Sequence, residues 1–200
     1  NNAIPVIAFV DMKKAAQVKM FMDINENQKA VSKSLRNTLN IDLLWESKSY
    51  MERRLALVLH IGQKLGEDSN SPLYGRVVTG ENKSTDIRCI TIESLRSALD
   101  KSSFFNRYKS KKNNTIISYG TFDKQDNDAT VQILYPFLVK CLNTIATFCQ
   151  DEWNKGSKGF LTINNCMFAI LRIIDDIVNI KLKEKNIPLY YIDIADLTSA

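Results

Sequence analysis

Histidine is almost missing from this chain: His60 is the only one. Ser/His/Asp or Cys/His catalysis would therefore have to be built around that residue. His60 follows Leu57, Val58 and Leu59 in a helical pattern, which reads as a structural position. The four cysteines, Cys89, Cys141, Cys149 and Cys166, include no Cys-x-x-Cys pair. A zinc site needs clustered Cys or His at ligand spacing, so no metal is expected. Their apolar neighbours predict reduced, buried thiols in an intracellular, cytoplasmic protein. Only seven glycines and four prolines occur, which excludes collagen-like and low-complexity chains. No apolar run approaches the roughly 20 residues of a membrane-crossing helix, and no membrane partner is expected. The longest apolar stretch, 167–178, is interrupted by Arg172, Asp175 and Asp176. A phosphate-binding Gly-rich loop is also lacking: Gly75-Arg76-Val77-Val78-Thr79-Gly80 has neither its spacing nor its Gly-Lys-Ser/Thr ending. Arg76 stays a candidate ligand-facing cation.

What is present is a 200-residue chain with 44% hydrophobic and 24% charged residues, the balance of a globular protein. Lys and Arg number 27 against 22 Asp and Glu, giving a net charge of +5 that permits a polyanionic partner. Ile4, Val6, Ile7, Phe9 and Val10 read as a strand already under way, and a strand needs neighbours to supply its hydrogen bonds. The expectation is a chain that begins inside a domain.

Asp11 reads as the N-cap of a helix with Ala15, Val18, Phe21 and Met22 on one face, ending near 23–25. A second helix would carry Leu35, Leu39 and Leu43. A third, over 50–65, would turn Met51, Leu55, Val58, Leu59 and Leu65 inward. Val77-Val78 and Arg88-Cys89-Ile90 suggest short strands, and Thr91 a cap for a helix through Leu95, Ala98 and Leu99. Residues 101–124 read as loop. Two long helices follow, over 128–153 and 164–185. The first is kinked or opened by Pro136 and has Phe148 among its core residues. The link over 156–159 predicts that the two pack as an antiparallel pair. Asp175 and Asp176 read as a solvated face, and 187–194 as a terminal strand.

One stretch gathers functional side chains without apolar alternation: Asn25, Glu26, Asn27, Gln28, Lys29, Ser32 and Lys33, with Arg36 one turn on. It leads into a helix N-terminus, whose free N–H groups and partial positive charge suit a phosphate. Asn27 and Gln28 could bond a base edge or a sugar. The plain alternative is an interhelical loop in which Asn and Ser serve only as caps. A second, basic segment over 101–112 mixes Phe104, Phe105 and Tyr108 with five cations, a pattern that suits nucleic acid or a plain surface loop.

The runs Ile4-Pro5-Val6-Ile7-Ala8-Phe9-Val10 and Met20-Phe21-Met22-Asp23-Ile24-Asn25-Glu26-Asn27-Gln28-Lys29-Ala30-Val31-Ser32-Lys33-Ser34-Leu35 resemble the later half of the DGQHR domain. That domain belongs to DndB-type proteins of DNA phosphorothioation systems and to related proteins. Weaker matches lie at 66–68, 71–76 and 88–92. The naming Asp-Gly-Gln-His-Arg motif is absent from the chain and would be expected before Ile4. The domain is similar to the ParB/sulfiredoxin-like superfamily, and Glu26-Asn27-Gln28-Lys29 resembles a diverged form of a ParB Glu-Asn-x-Gln-Arg segment. Lys29 in place of Arg keeps the charge and loses the bidentate fork, which speaks against nucleotide hydrolysis more than against phosphate binding.

The resemblance implies an α+β, mainly α-helical chain. Residues 1–35 would be the C-terminal part of a ParB/sulfiredoxin-like mixed domain, and 36–200 a helical domain with a strand and loop insertion near 66–90. It implies a non-catalytic DNA-binding or regulatory component of a DNA-modification or phage-defence system, with DNA and other proteins of that system as partners. In that reading no residue is catalytic, Lys29, Lys33 and Arg36 contact phosphates, and Asn25, Asn27 and Gln28 position a ligand. Two alternatives remain. One is a nucleotide-dependent hydrolase in which Glu26 helps hold a nucleotide with Mg in the full-length protein. The other is a helical protein-interaction scaffold.

Overall fold

The computed structural model describes residues 10–26, 33–80, 82–110 and 113–184. Its organising element is α3 (Tyr50–Glu67), where Ala56 through Leu59, Ile61 and Leu65 are all buried. A helix buried on nearly every side must be covered by several neighbours. Here α2 (Lys33–Leu44), α4 (Ile92–Lys101) and α5 (Asn127–Phe148) cover it. α1 (Lys14–Glu26) packs on α2 and, among the described side chains, buries Val18. α7 (Asn164–Glu184) lays Met167, Leu171, Ile174, Val178 and Leu182 on the core, at the spacing of a single apolar stripe. The described residues are therefore mainly helical, with four short strands.

Local chemistry sets the boundaries. Thr91 caps α4, its Oγ1 accepting from the Ser94 N–H at 3.3 Å. Asp126 caps α5 through the Ala129 N–H at 2.7 Å. Strands β1 (Val77–Val78) and β2 (Ile90–Thr91) pair in parallel, Val77 opposite Ile90. The loop between them is pinned at its far end by Gly156 (φ +58°). A Cβ there would lie 2.1 Å from the Asp86 carbonyl oxygen, so only glycine lets the chain pass.

Several expectations are corrected. Asp11 is not a cap: its φ is +58° and α1 begins three residues later. The expected face of α1 is buried at Val18 and half-buried at Met22, while Ala15 and Phe21 are exposed. Met51 points out of the core, because the buried face of α3 is centred on Ala56–Leu59. The helix expected over 128–153 breaks at Cys149 into α5 and α6 (Gln150–Asn154). The break swings Trp153 inward, where its Nε1 donates to the Pro72 carbonyl at 3.2 Å, and leaves Phe148 exposed. α5 runs through Pro136 without ending. α7 takes α4, rather than α5, as its main neighbour. Cys149 is exposed and the other three cysteines are half-buried, all free.

Residues 101–124 are not loop throughout. They hold an antiparallel hairpin of β3 (Arg107–Ser110) and β4 (Asn113–Ser118). Of the opening strand expected over 4–10 only Val10 is described, and it is an exposed bend residue rather than strand; the rest of it and the strand expected over 187–194 lie outside the described residues. By length and composition α5 could cross a membrane, a property no unbroken apolar run revealed. In the fold its Leu134, Leu138 and Leu142 are buried in the core.

Candidate functional site

Of the polar stretch, Asn25 and Glu26 form the last turn of α1 and Lys33 opens α2. Asn27, Gln28, Lys29 and Ser32 lie outside the described residues. Arg36 is exposed on α2. Arg76 is placed elsewhere, on the turn before β1. Its Nη2 donates to Asn154 Oδ1 at 3.1 Å, while its Nη1 is buried without a hydrogen-bond partner. Burial pulls the guanidinium pKa below its ordinary value. Beside it, burial pushes the Cys89 thiol up against the opposing pull of Arg76, and Cys89 Sγ donates to the Thr162 carbonyl at 3.2 Å. Among the described residues, Arg76 makes no contact with Arg36. It joins the β1–β2 pair to α6.

The segment 101–112 is rearranged more deeply. Phe104 and Phe105 are fully buried. Phe104 meets Phe122 edge-on at 5.3 Å, and Phe105 lies under the Arg54 guanidinium at 5.1 Å. Neither is available to stack on a base. The hairpin instead carries Arg107 and Lys109 outward, beside exposed Ile117 and Tyr119. Tyr108 turns back onto Tyr50, ring centroids 4.1 Å apart.

The base of the hairpin is held by hydrogen bonds from residues far apart in sequence. Asp123 Oδ2 accepts from the Tyr50 hydroxyl at 2.5 Å and from the Asn106 N–H at 2.8 Å. Asn106 Oδ1 accepts from the Gly120 N–H at 2.7 Å, and the Asn106 carbonyl accepts from Arg54 Nη1 at 3.2 Å. Burial, then the bond to Asp123, raises the Tyr50 pKa far above that of a free phenol. A Cβ on Gly120 would sit 2.2 Å from the Phe105 carbonyl carbon, so the chain just after β4 can approach only as glycine.

Beside this base lies a cavity of about 400 Å³, lined by Met51, Arg54, Asp100, Asn106, Arg107, Tyr108, Ser110 and Ile117. Asp100 Oδ1 is 3.5 Å from Arg54 Nε and its Oδ2 is 3.8 Å from Arg96 Nη1. Burial pushes the Asp100 pKa up, and the two arginines oppose it. Arg54 Nε and Asn106 Nδ2 are buried without hydrogen-bond partners. The cavity thus combines cations, a carboxylate and an aromatic wall, a set able to bind a mixed-polarity ligand.

A second cavity, about 590 Å³, lies among α1, α2 and α3 and includes His60, Asp42, Glu67 and Lys64. No hydrogen bond joins His60 to a carboxylate among the described residues, so no acid–base pair is assembled there. Tyr50, Asp100, Asn106 and Asp123 were not legible as site residues. Nothing in the sequence joins positions up to 73 apart, and only the hairpin brings them together. Compared with known protein families, curated proteins and solved structures, the chain matches none.

Proposed function

We propose that this chain is a non-catalytic DNA-binding protein acting in the cytoplasm, in the setting its resemblance to DGQHR proteins implies: DNA modification or phage defence. The observation that supports it is the β3–β4 hairpin, which carries exposed Arg107 and Lys109 beside exposed Ile117 and Tyr119. Exposed cations take phosphates, and each phosphate neutralised releases counterions and adds about 0.9 to the salt slope. Exposed apolar and aromatic side chains suit unstacked bases. In this reading Lys33 and Arg36, at the start of α2, and Lys29, which precedes them in sequence, supply a second set of phosphate contacts.

The test is duplex and single-strand DNA binding measured against salt. An R107A/K109A variant is expected to lower the slope of log K against log[salt] by about two units, one per lost contact, and a K29A/K33A variant likewise. An unchanged slope in both variants, with the fold intact, overturns the reading. One observation favours a second reading, a protein-interaction scaffold. Ile173, Ile177 and Ile180 are exposed along α7, beside a shallow apolar groove that α7 shares with α5. Partner binding lost in an I173E/I177E variant, without any DNA binding, would establish it.

A further inference from the structure

We propose that the cavity at the base of the β3–β4 hairpin takes a guanine nucleotide, presented as an unpaired residue of the strand that the hairpin holds. This rests on the DNA-binding reading above and assigns its base specificity. The cavity volume of about 400 Å³ is of small-ligand size. Three of its groups match two parts of a nucleotide, the phosphate and the base. Arg107, exposed at the rim, meets the phosphate as a charge-assisted fork. Tyr108, backed by the Tyr50 ring, offers a rigid wall for a base.

Asp100 reads the base edge. A carboxylate only accepts, through about four lone-pair sites. Its contacts to Arg54 and Arg96, at 3.5 and 3.8 Å, are too long to use those sites as short hydrogen bonds. Guanine is the one DNA base whose Watson–Crick edge sets two donors side by side, the ring N1–H and the amino group, to meet both oxygens of a carboxylate. Adenine and cytosine place a ring acceptor beside their amino group. Thymine places carbonyls on both sides of its N–H. In each of those cases the carboxylate faces an acceptor. Arg54 and Arg96 oppose the upward push that burial gives the Asp100 pKa, and they balance its charge when a base covers it.

The experiment titrates the full chain with dGMP, dAMP, dCMP and dTMP, and with hairpin oligonucleotides carrying a single unpaired guanine or adenine. We expect dGMP to bind about tenfold or more tightly than the other three, the discrimination of one good bidentate contact. D100N should remove that preference. Met51→Trp, at an exposed rim position that makes none of the hydrogen bonds above, should fill the cavity and abolish dGMP binding, so the result does not hang on one variant folding. Equal binding of all four nucleotides, or a preference that survives D100N with the fold intact, overturns the assignment. Oligonucleotides that bind through Arg107 and Lys109 without favouring the unpaired guanine overturn it and leave the DNA-binding reading standing. If dGMP binds while no oligonucleotide does, the DNA reading falls and the cavity takes the free nucleotide instead.

Discussion

His60 sits half-buried with its ring edge-on to Trp45, centroids 5.0 Å apart. Burial first, then the neighbouring Lys64 ammonium, lowers its pKa below the ordinary 6.5, while Asp128, Glu67 and Asp42 pull weakly the other way. The folded protein therefore holds the imidazole neutral more firmly than the unfolded chain does. As pH falls through about 6.5 the unfolded state takes up the proton first, so stability that is complete above that pH is lost below it. Unfolding free energies from urea titrations between pH 7.5 and 5 should fall on the acid side, by at most about 1.4 kcal/mol per pH unit for a single proton. A His60→Gln variant should flatten that part of the profile, and an unchanged slope would remove His60 from the account. This residue is also where the sequence was most readable: a lone histidine after three apolar residues in helical register had little choice but to pack.

Asp175 makes the opposite case, and its importance is at the level of the elements it joins. It is 2% exposed, whereas its neighbour Asp176 faces solvent, since successive helical residues point about 100° apart. Its Oδ1 accepts from the Ser103 N–H at 2.9 Å and from the Ser103 hydroxyl at 2.5 Å, and its Oδ2 pairs with Arg172 at 3.1 Å. One carboxylate on α7 thus ties down the segment that leaves α4 and enters the hairpin. Asp175→Ala would leave the Ser103 N–H without its acceptor, while the Ser103 hydroxyl keeps Asn179 Oδ1 and Arg172 keeps the Lys101 carbonyl, at a cost of about 1–3 kcal/mol. The denaturation midpoint should fall accordingly, with Asp176→Ala nearly silent; equal effects would refute the tie. Sequence periodicity found the α7 stripe and the Thr91 cap because each is written in consecutive residues of its own element. It missed the hairpin because Arg107-Tyr108-Lys109-Ser110 shows no apolar alternation: exposed on most positions, a strand of this kind carries no period-two signal. It misread Asp175 because the partner that justifies a buried carboxylate lies 72 residues away.

At the scale of the molecule, a single apolar core runs from Ile41 to Leu182 and takes side chains from α2 through α7. The candidate site belongs to that whole rather than to any segment: Tyr50 and Arg54 come from α3, Asp100 from α4, Asn106 through Tyr108 from the start of the hairpin, and Asp123 from the loop beyond it. Composition announced the basic character of 101–112, but the hairpin buried the phenylalanines that had made the segment attractive and recruited a carboxylate and two tyrosines in their place. The same view separates α1 from the rest. Among the described residues its one buried side chain is Val18, packing on α2, and its ion pair Lys14–Asp42, at 2.9 Å, is exposed, an interaction worth little in water. Amides protected by few buried contacts open locally, at a free energy well below that of global unfolding. Native-state hydrogen exchange should therefore find α3, α4 and α7 exchanging together at the global free energy, while α1 exchanges faster by several kcal/mol of opening free energy. If α1 instead exchanged with α3, the boundary near residue 35 suggested by the sequence would have no energetic counterpart, and α1 would belong to the cooperative core.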